Sequence, residues 1–199
     1  MVENYLKVIY GHTEWQSEPI TSSQLAARLG VVPSSVTEMV KKLTRQGLVH
    51  HTPYGAIELT DAGRAEALRM VRRHRLIETW LVQRFGYGWD EVHDEAEVLE
   101  HAVSDRLLDA IDESLGRPDR DPHGDPIPRA DLTVPAADGR LLADLTTEQA
   151  RPVVRISDRD PVVLRMLDDL GIGVGSLVAY AEVPPSAAAA IWVADADDD

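Results

Sequence analysis

The feature that most constrains the fold of this chain is a pair of short helical patterns that meet at a glycine. The first pattern ends at Gly30, a residue type that favours the left-handed conformation at helix C-termini. Pro33 opens the second pattern, which ends before Gly47. Apolar residues recur at helical spacing in both patterns: Leu25, Ala26 and Leu29 in the first, and Val36, Met39, Val40 and Leu43 in the second. Two helices joined by so short a turn predict a helix-turn-helix.

The residues after Gly47 predict a β-hairpin, because the helical period stops there. Strand-like runs at 48–51 and 56–59 are joined across a turn that contains Gly55. The hairpin therefore follows the helix-turn-helix directly.

Helices are predicted on both sides of these elements. Apolar spacing predicts one helix over 5–14, and Thr60 begins the capping region of a long helix predicted over 64–85. The order helix, helix-turn-helix, hairpin, helix is the layout of a winged helix domain, which we predict over residues 1–63.

The rest of the chain predicts a second helical domain and a small β module. The local patterns are a short helix after Trp89, a longer helix over 95–115, a proline-rich loop over 117–135, a strand over 151–156, a helix over 161–170 and a strand over 176–182. We therefore expect a mainly α fold with a helical domain at 64–130, a linker at 131–150, a β module at 151–194 and an acidic tail at 195–199.

Charge is distributed unevenly along this chain, whose formal net charge is -14. Residues 1–75 contain 10 Lys+Arg and 7 Asp+Glu, so this part is positive although the whole chain is acidic. Contacts to DNA phosphates need Lys and Arg, and the domain rather than the chain is the unit that binds. The charge of the predicted winged helix is therefore compatible with a nucleic-acid partner.

Missing residue types exclude other classes of protein. The chain has no cysteine, which excludes disulfides, thiolate zinc sites, iron–sulfur clusters and a cysteine nucleophile. No run of about 18 apolar residues occurs, so no membrane helix is predicted. The N-terminus lacks the basic and apolar regions of a signal peptide. We expect a cytoplasmic protein.

The second helix of the predicted helix-turn-helix is the element that would read DNA. In this motif the N-terminal residues of that helix face base edges in the major groove. Small hydroxyl side chains allow a close approach there, and basic residues further along supply phosphate contacts. Ser and Thr at this place are also ordinary helix caps. The candidate DNA-binding residues are Pro33, Ser34, Ser35, Thr37, Glu38, Lys41, Lys42 and Arg45, with Tyr54 at the predicted hairpin tip.

Two predicted helices carry histidine and glutamate at the spacing of metal ligands. His74 and Glu78 are four residues apart, so they project from one face of the long helix. The next helix offers the same kind of spacing in a further set: His93, Glu97, Glu100 and His101. Oxygen and nitrogen ligands without sulfur favour a divalent cation such as Mn²⁺ or Fe²⁺. Solvated pairs on exposed helices show the same spacing, so that alternative stays open on spacing alone.

The chain resembles the diphtheria toxin repressor family of metal-dependent repressors, most of all its manganese transport regulator branch. The matching segments are YLKVIY, LAARLGVVPSSVTEMVKKLTRQGLV, LTDAGR, RRHRLIETWLV and WDEVHDEAEVLEHAVSDRL, and DPHGDPIP extends them. The resemblance implies a homodimer whose winged helix binds double-stranded operator DNA when metal occupies a nearby helical site. It implies no enzyme.

The resemblance also implies metal ligands. The implied primary ligands are Asn4, His74, Glu97, Glu100 and His101. The implied ancillary ligands are Glu78 and His93 together with His74, and Asp160 lies near where relatives lend a carboxylate. Asp160 is equally placed to cap the helix that begins at Pro161.

Three positions bear on these sites: Asn4 and Lys7 depart from the family pattern, and Glu97 resembles the manganese branch. Asn4 stands where manganese-responsive relatives usually carry aspartate, so one negative charge is lost. Glu97 stands where iron-responsive members have cysteine, and a hard carboxylate favours manganese. Lys7 replaces a carboxylate that some manganese regulators use, which argues against a two-metal cluster of that kind.

The last part of the chain resembles the SH3-like (FeoA-like) module that ends longer family members. RISDRDPVVLRMLDDLGIGVGS fits the first strand and helix of that module. PPSAAAA stands where further strands are expected, so we expect a truncated module.

Together these features predict a Mn²⁺-dependent repressor of metal-ion homeostasis, in which bound metal aligns the recognition helices of the dimer with operator DNA. Two alternatives remain: a Fe²⁺-responsive repressor of the same family, and a winged helix regulator that metal does not gate. A metalloenzyme is not expected, because di-iron sites need paired Glu-x-x-His motifs and no HExxH motif occurs.

Overall fold

A computed structural model describes residues 1–15, 18–52, 55–137, 139–145 and 149–195. The chain forms two compact units. The N-terminal unit contains Met1–Arg72 with Ala130–Leu132, and the C-terminal unit contains Arg73–Arg129 with Thr133–Asp199. None of the helices in the described ranges combines the length and the apolar character needed to cross a membrane.

The N-terminal unit is the predicted winged helix-turn-helix. Its elements are α1 (Val2–Thr13), α2 (Ser22–Leu29), α3 (Pro33–Arg45), β1 (Val49–His51), β2 (Ile57–Leu59) and the start of α4 (Asp61–Phe85). The two strands are antiparallel, with Val49 opposite Leu59. The buried apolar side chains of this unit include Leu6, Ile9, Ile20, Leu25, Val36, Leu43 and Ile57.

Caps at both ends of α2 fix where this helix begins and where the turn to α3 starts. The Gln24 N–H donates to the Thr21 hydroxyl, and the Thr21 N–H donates to the Gln24 side chain, which together make a capping box. Gly30 ends the helix in the left-handed conformation with φ of 63°, as predicted. The start of α3, at 33–35, is exposed.

The helical part of the C-terminal unit consists of the remainder of α4, α5 (Val92–Leu99) and α6 (Asp105–Ser114). The single helix predicted over 95–115 is wrong, because two helices occupy this segment. The Ser104 hydroxyl accepts the Leu107 N–H and caps α6, so a new helix starts there. These helices bury a second core: Leu76, Ile77, Leu81, Val92, Ala96, Leu108, Ile111 and Ile127.

The C-terminal unit also contains a four-stranded antiparallel sheet, which is more complete than the predicted module. Its strands are β3 (Arg140–Leu141), β4 (Arg151–Ile156), β5 (Leu177–Val178) and β6 (Ile191–Val193), in the spatial order β3-β6-β4-β5. Two helices connect strands: α7 (Pro161–Asp169) and α8 (Pro185–Ala188).

Three sequence predictions differ from this sheet. β3 and a 3-10 helix at Leu142–Asp144 lie inside the predicted linker. The strand predicted over 176–182 is only 2 residues long, and a 3-10 helix follows it at Tyr180–Glu182. Within PPSAAAA, Pro185–Ala188 form α8. The strand β6 that follows was not predicted from the sequence; it pairs with both β3 and β4 and completes the sheet.

Candidate metal centre

The centre is built around His74 and Glu78, which α4 places one turn apart on a buried face. His74 is 6% exposed and Glu78 is 1% exposed. His74 Nε2 lies 2.9 Å from Glu78 Oε1, and His74 Nδ1 lies 2.6 Å from Glu100 Oε2. The two ring nitrogens of His74 therefore face two different carboxylates.

A first group of donors joins His74 to Glu97 and Glu100, with donor atoms within 4.8 Å of one another. Glu97 belongs to α5, and Glu100 is the residue that caps its C-terminus. His101 Nε2 lies 3.6 Å from Glu100 Oε1. The continuous helix predicted through these residues is wrong, because α5 ends at Leu99 and a turn carries Glu100 and His101.

A second group joins His74 and Glu78 to His93 of α5 and to Asp158, which follows β4. His93 Nδ1 lies 3.1 Å from His74 Nε2. The same His93 atom lies 3.4 Å from Glu78 Oε1 and 3.4 Å from Asp158 Oδ2. Helices α4 and α5 and the segment after β4 thus contribute donors to one place.

Of the two carboxylates after β4, Asp158 rather than Asp160 reaches these donors. Asp160 accepts the Val162 N–H at 2.9 Å and caps α7, which is the capping role open to it from the sequence. Asp160 belongs to none of the candidate donor groups found in the described residues. Asp158 is therefore the carboxylate that lies near the ancillary set, whereas Asp160 caps a helix, as the sequence also allowed.

A third group, Glu78 with Asp121 and His123, was not predicted from the sequence. All three side chains are buried, and His123 is 0% exposed. His123 Nε2 lies 2.7 Å from the Trp89 carbonyl oxygen, which can only accept, so Nε2 carries the proton. Nδ1 of this ring is buried without a hydrogen-bond partner in the described part of the chain. Metal-ligating histidines are commonly oriented in this way through their other nitrogen.

The signal for this third group lies in the segment DPHGDPIP. The N–H groups of His123 and Asp125 both donate to Asp121 Oδ1 at 2.9 Å, so the loop folds around this carboxylate. The segment offers two carboxylates and one imidazole within five residues. A loop has no fixed period, however, so spacing alone does not say which side chains converge.

The charges of the second group stabilise one another. Burial would raise the pKa of Glu78, but the nearby His74 and hydrogen bonds from His74 and His93 hold it well below its usual value. Burial would lower the pKa of His93, but hydrogen bonds to Asp158 and Glu78 raise it to about 10. Burial would raise the pKa of Asp158, but the hydrogen bond from His93 lowers it to about 2.

In the third group, Asp121 and His123 hold their protons more tightly than free side chains do. Burial, and then repulsion by Asp125 and Glu78, raise the pKa of Asp121 to about 8. Burial would lower the pKa of His123, but the charges of Asp121 and Glu78 raise it. A cation bound here competes with these protons, because ligands must be deprotonated.

The donor chemistry fits a hard or borderline divalent cation, since all donors are carboxylate oxygens or imidazole nitrogens. The groups overlap: His74 belongs to the first and second, and Glu78 to the second and third. Each of these side chains has two donor atoms, so neighbouring cations could bind to opposite atoms of the same side chain.

Asn4, the remaining predicted ligand, lies in α1 of the N-terminal unit. Its Oδ1 is buried and accepts no hydrogen bond from the described residues. Amide oxygens do ligate hard cations, although they bring no negative charge. Asn4 stays a predicted ligand.

The predicted DNA-binding residues within the described ranges share the exposed face of α3. The Thr37 hydroxyl donates to the Pro33 carbonyl oxygen at 3.1 Å, and Lys41 forms an ion pair with Glu38 at 3.1 Å. The exposed set is Pro33, Ser34, Ser35, Thr37, Glu38, Lys41, Lys42 and Arg45. The predicted hairpin-tip residue, Tyr54, lies outside the described residues. Contacts of these side chains with bases or phosphates remain predictions.

Two family models match this chain. Residues 1–57 match "Iron dependent repressor, N-terminal DNA binding domain", and residues 60–129 match "Iron dependent repressor, metal binding and dimerisation domain". The diphtheria toxin repressor of Corynebacterium efficiens is 38% identical over 126 residues, which are 63% of this chain and 54% of that protein. The iron-dependent repressor IdeR of Mycobacterium tuberculosis is 36% identical over 148 residues, which are 72% of this chain and 64% of that protein. The chain thus matches less than two thirds of the length of either relative.

Solved structures extend the similarity to nearly the whole chain. A structure described as a manganese-dependent transcriptional repressor in complex with manganese has a TM-score of 0.91 and 45% identity, and the match covers 98% of this chain and 100% of that chain. The manganese regulator SloR has a TM-score of 0.80 and 31% identity, and the match covers 96% and 97% respectively. These matches include the C-terminal sheet, which lies beyond the residues that the family models match.

Proposed function

Because this chain belongs to the iron-dependent repressor family, we propose that it is a Mn²⁺-dependent DNA-binding transcriptional repressor that acts as a cytoplasmic homodimer. The observation that carries the proposal is the buried and half-buried set of carboxylate and imidazole donors around His74 and Glu78. Similarity over nearly the whole chain to a manganese-dependent repressor in complex with manganese supports this choice of cation.

A Fe²⁺-responsive repressor is the second candidate, since IdeR of Mycobacterium tuberculosis is named for iron dependence. Glu97 favours manganese over iron, because it brings a hard carboxylate where iron-responsive members have a soft thiolate. The affinity order of divalent metals does not by itself separate the two cations, so geometry and cellular supply must do so.

The proposal has two cation sites. The primary site takes its ligands from Asn4, His74, Glu97, Glu100 and His101. The second site takes its ligands from the other two groups: His74, Glu78, His93, Asp121, His123 and Asp158. A cation bound at either site would supply two positive charges to carboxylates that lie close together, among them the buried Glu78 and Glu100.

The DNA-binding part of the proposal rests on α3. The residues proposed to approach base edges are Pro33, Ser34, Ser35, Thr37 and Glu38, and those proposed to contact phosphates are Lys41, Lys42 and Arg45. In dimeric helix-turn-helix proteins the recognition helices match half-sites one helical turn apart, about 34 Å, or a multiple of it. We propose that ligands drawn from separate chain segments set this spacing when they coordinate one cation. Linkage then requires that DNA and Mn²⁺ raise each other's affinity by the same factor.

The proposal is tested by binding with and without metal. Selection from a randomised duplex library in saturating MnCl₂ identifies the operator, and fluorescence anisotropy then measures affinity for it in MnCl₂ and in EDTA. We expect at least about tenfold tighter binding in MnCl₂, within the usual range of allosteric coupling. The variant Glu97→Ala/Glu100→Ala should lose this gain. Asp94→Ala, which removes an exposed acid from the same helix, should keep it.

Two results would overturn the proposal in different ways. Equal affinity for the selected operator in EDTA and in MnCl₂ would identify a winged helix regulator that metal does not gate. Activation by Fe²⁺ under anaerobic conditions at a lower free concentration than by Mn²⁺ would identify the iron-responsive alternative.

A further inference from the structure

The loop that carries Asp121 and His123 lies directly against strand β4. The Ile156 N–H donates to the His123 carbonyl oxygen at 2.8 Å. Gly124 has φ of 86°, and a Cβ at this position would lie 2.2 Å from the Val154 carbonyl oxygen. Glycine alone permits so close an approach, so the loop and the strand are in backbone contact.

Two arginines and two aspartates are buried beside this contact, namely Arg75, Asp121, Asp125 and Arg155. Arg75 Nε lies 3.5 Å from Asp121 Oδ2, and Arg75 Nη2 lies 3.5 Å from Asp125 Oδ2. Arg155 Nε donates to Asp125 Oδ1. Each of the two arginines therefore has a carboxylate partner, as buried charges require.

Arg155 links the loop that contains Asp125 to the sheet. It belongs to β4, and its guanidinium carbon lies 5.8 Å from the ring centroid of Trp192 on the neighbouring strand β6. The same strand β4 ends at Ile156 and leads to Asp158. Strand β4 therefore binds the loop through the contact between Arg155 and Asp125. It also leads directly to the candidate ligand Asp158.

We propose that Arg155 is a positioning residue for the second cation site: through Asp125 it fixes the loop ligands against the strand that leads to Asp158. The loop ligands are Asp121 and His123. This inference rests on the proposed function, because it requires the second site to bind Mn²⁺. Removing groups that orient metal ligands typically lowers metal affinity about 10- to 100-fold.

The test uses the full chain in a Glu97→Gln/Glu100→Gln background, so that Mn²⁺ binding reports the second site. Arg155→Met/Asp125→Asn removes this ion pair but leaves the contact between Arg75 and Asp121 in place. Arg155→Lys keeps the charge. The matched control is Arg151→Met, which removes another β4 arginine, one that donates to the Ala194 carbonyl oxygen at 3.3 Å.

Electron paramagnetic resonance of free Mn²⁺ measures affinity, and hydrogen exchange in EDTA measures how firmly residues 121–125 are held. We expect Arg155→Met/Asp125→Asn to bind Mn²⁺ about 10- to 100-fold more weakly and to exchange faster at 121–125. Arg155→Lys should recover part of the affinity, and Arg151→Met should match the parent.

Parent-like Mn²⁺ affinity in Arg155→Met/Asp125→Asn would overturn the positioning role. Faster exchange throughout the C-terminal unit, with a lower melting temperature in EDTA, would also overturn it, because the loss would then be general unfolding. A Glu97→Gln/Glu100→Gln parent that binds no Mn²⁺ would refute the second site itself, before Arg155 is changed.

Discussion

At the scale of single residues, Asn4 brings a neutral amide to a position where a carboxylate would bring charge. We expect Asn4→Asp to lower the Mn²⁺ dissociation constant of the primary site about tenfold, because ligand charge tunes cation affinity over orders of magnitude. Isothermal titration of the variant beside the parent measures this change. Asn4→Leu, which keeps the volume but offers no donor, should weaken binding. Identical constants for all three proteins would show that Asn4 is not a ligand.

Asp158 and Asp160 allow a matched pair of substitutions at the second site. Asp158→Asn should weaken Mn²⁺ binding there by about tenfold or more, because it removes a charged donor next to His93. Asp160→Asn should leave binding unchanged, because asparagine caps helices as well as aspartate does. Equal losses in Mn²⁺ titrations of the two variants would contradict the assignment of Asp158.

Residue-level prediction from the sequence worked where a helix fixed the spacing. His74 and Glu78 are predictable as neighbours, because α4 places residues four apart on one face. Asp121 and His123 are not, because they lie in a loop whose path depends on its contact with β4. The choice of Asp158 over Asp160 depends on where a strand ends, and strand ends are poorly marked in local sequence.

At the scale of elements, the break between α5 and α6 positions Glu100 and His101. Ser104→Ala should reduce the free energy of unfolding by about 1 kcal/mol, because the Leu107 N–H loses its capping partner. Urea unfolding of the two proteins in EDTA measures this loss. Ser104→Asp preserves a capping oxygen and should stay close to the parent. Loss of the same size in both variants would mean that the hydroxyl is not acting as a cap.

The sequence at this break explains why one long helix was predicted over 95–115. No glycine or proline separates α5 from α6, so the local sequence contains none of the strongest helix breakers. Only Ser104, a common cap, marked the boundary. The sheet was hard to predict for another reason: β3 and β6 are 2 and 3 residues long, and each forms only through pairing with distant partners.

At the scale of the whole molecule, stability in EDTA should fall as the pH rises from about 6.5 to 8. The pKa of His93 is raised from 6.5 to about 10 and that of Asp121 from 3.8 to about 8. Across this window the folded protein therefore holds more protons than the unfolded chain, and stability falls with rising pH. The lowered pKa of Asp158 acts in the opposite direction, but only below pH 3.8. Melting temperatures measured by calorimetry across the window test this slope.

Adding Mn²⁺ should reverse this fall in stability with rising pH, because bound cations replace the protons that the ligands lose. The rise in melting temperature produced by a fixed free Mn²⁺ concentration should therefore grow between pH 6.5 and 8. The variant His93→Gln/Asp121→Asn should have a flatter profile in EDTA. A parent profile that already rises with pH in EDTA would contradict the proton assignment.

The donor set of the candidate centre contains only oxygen and nitrogen, and the chain as a whole has no cysteine. Peroxide converts exposed thiolates into sulfenic and then irreversibly oxidised acids, which no longer serve as the same ligand. The candidate donors of this centre, Glu97 and Asp121 among them, offer no sulfur for that reaction. Under the proposed function, peroxide therefore removes none of the cation's ligands by thiol oxidation.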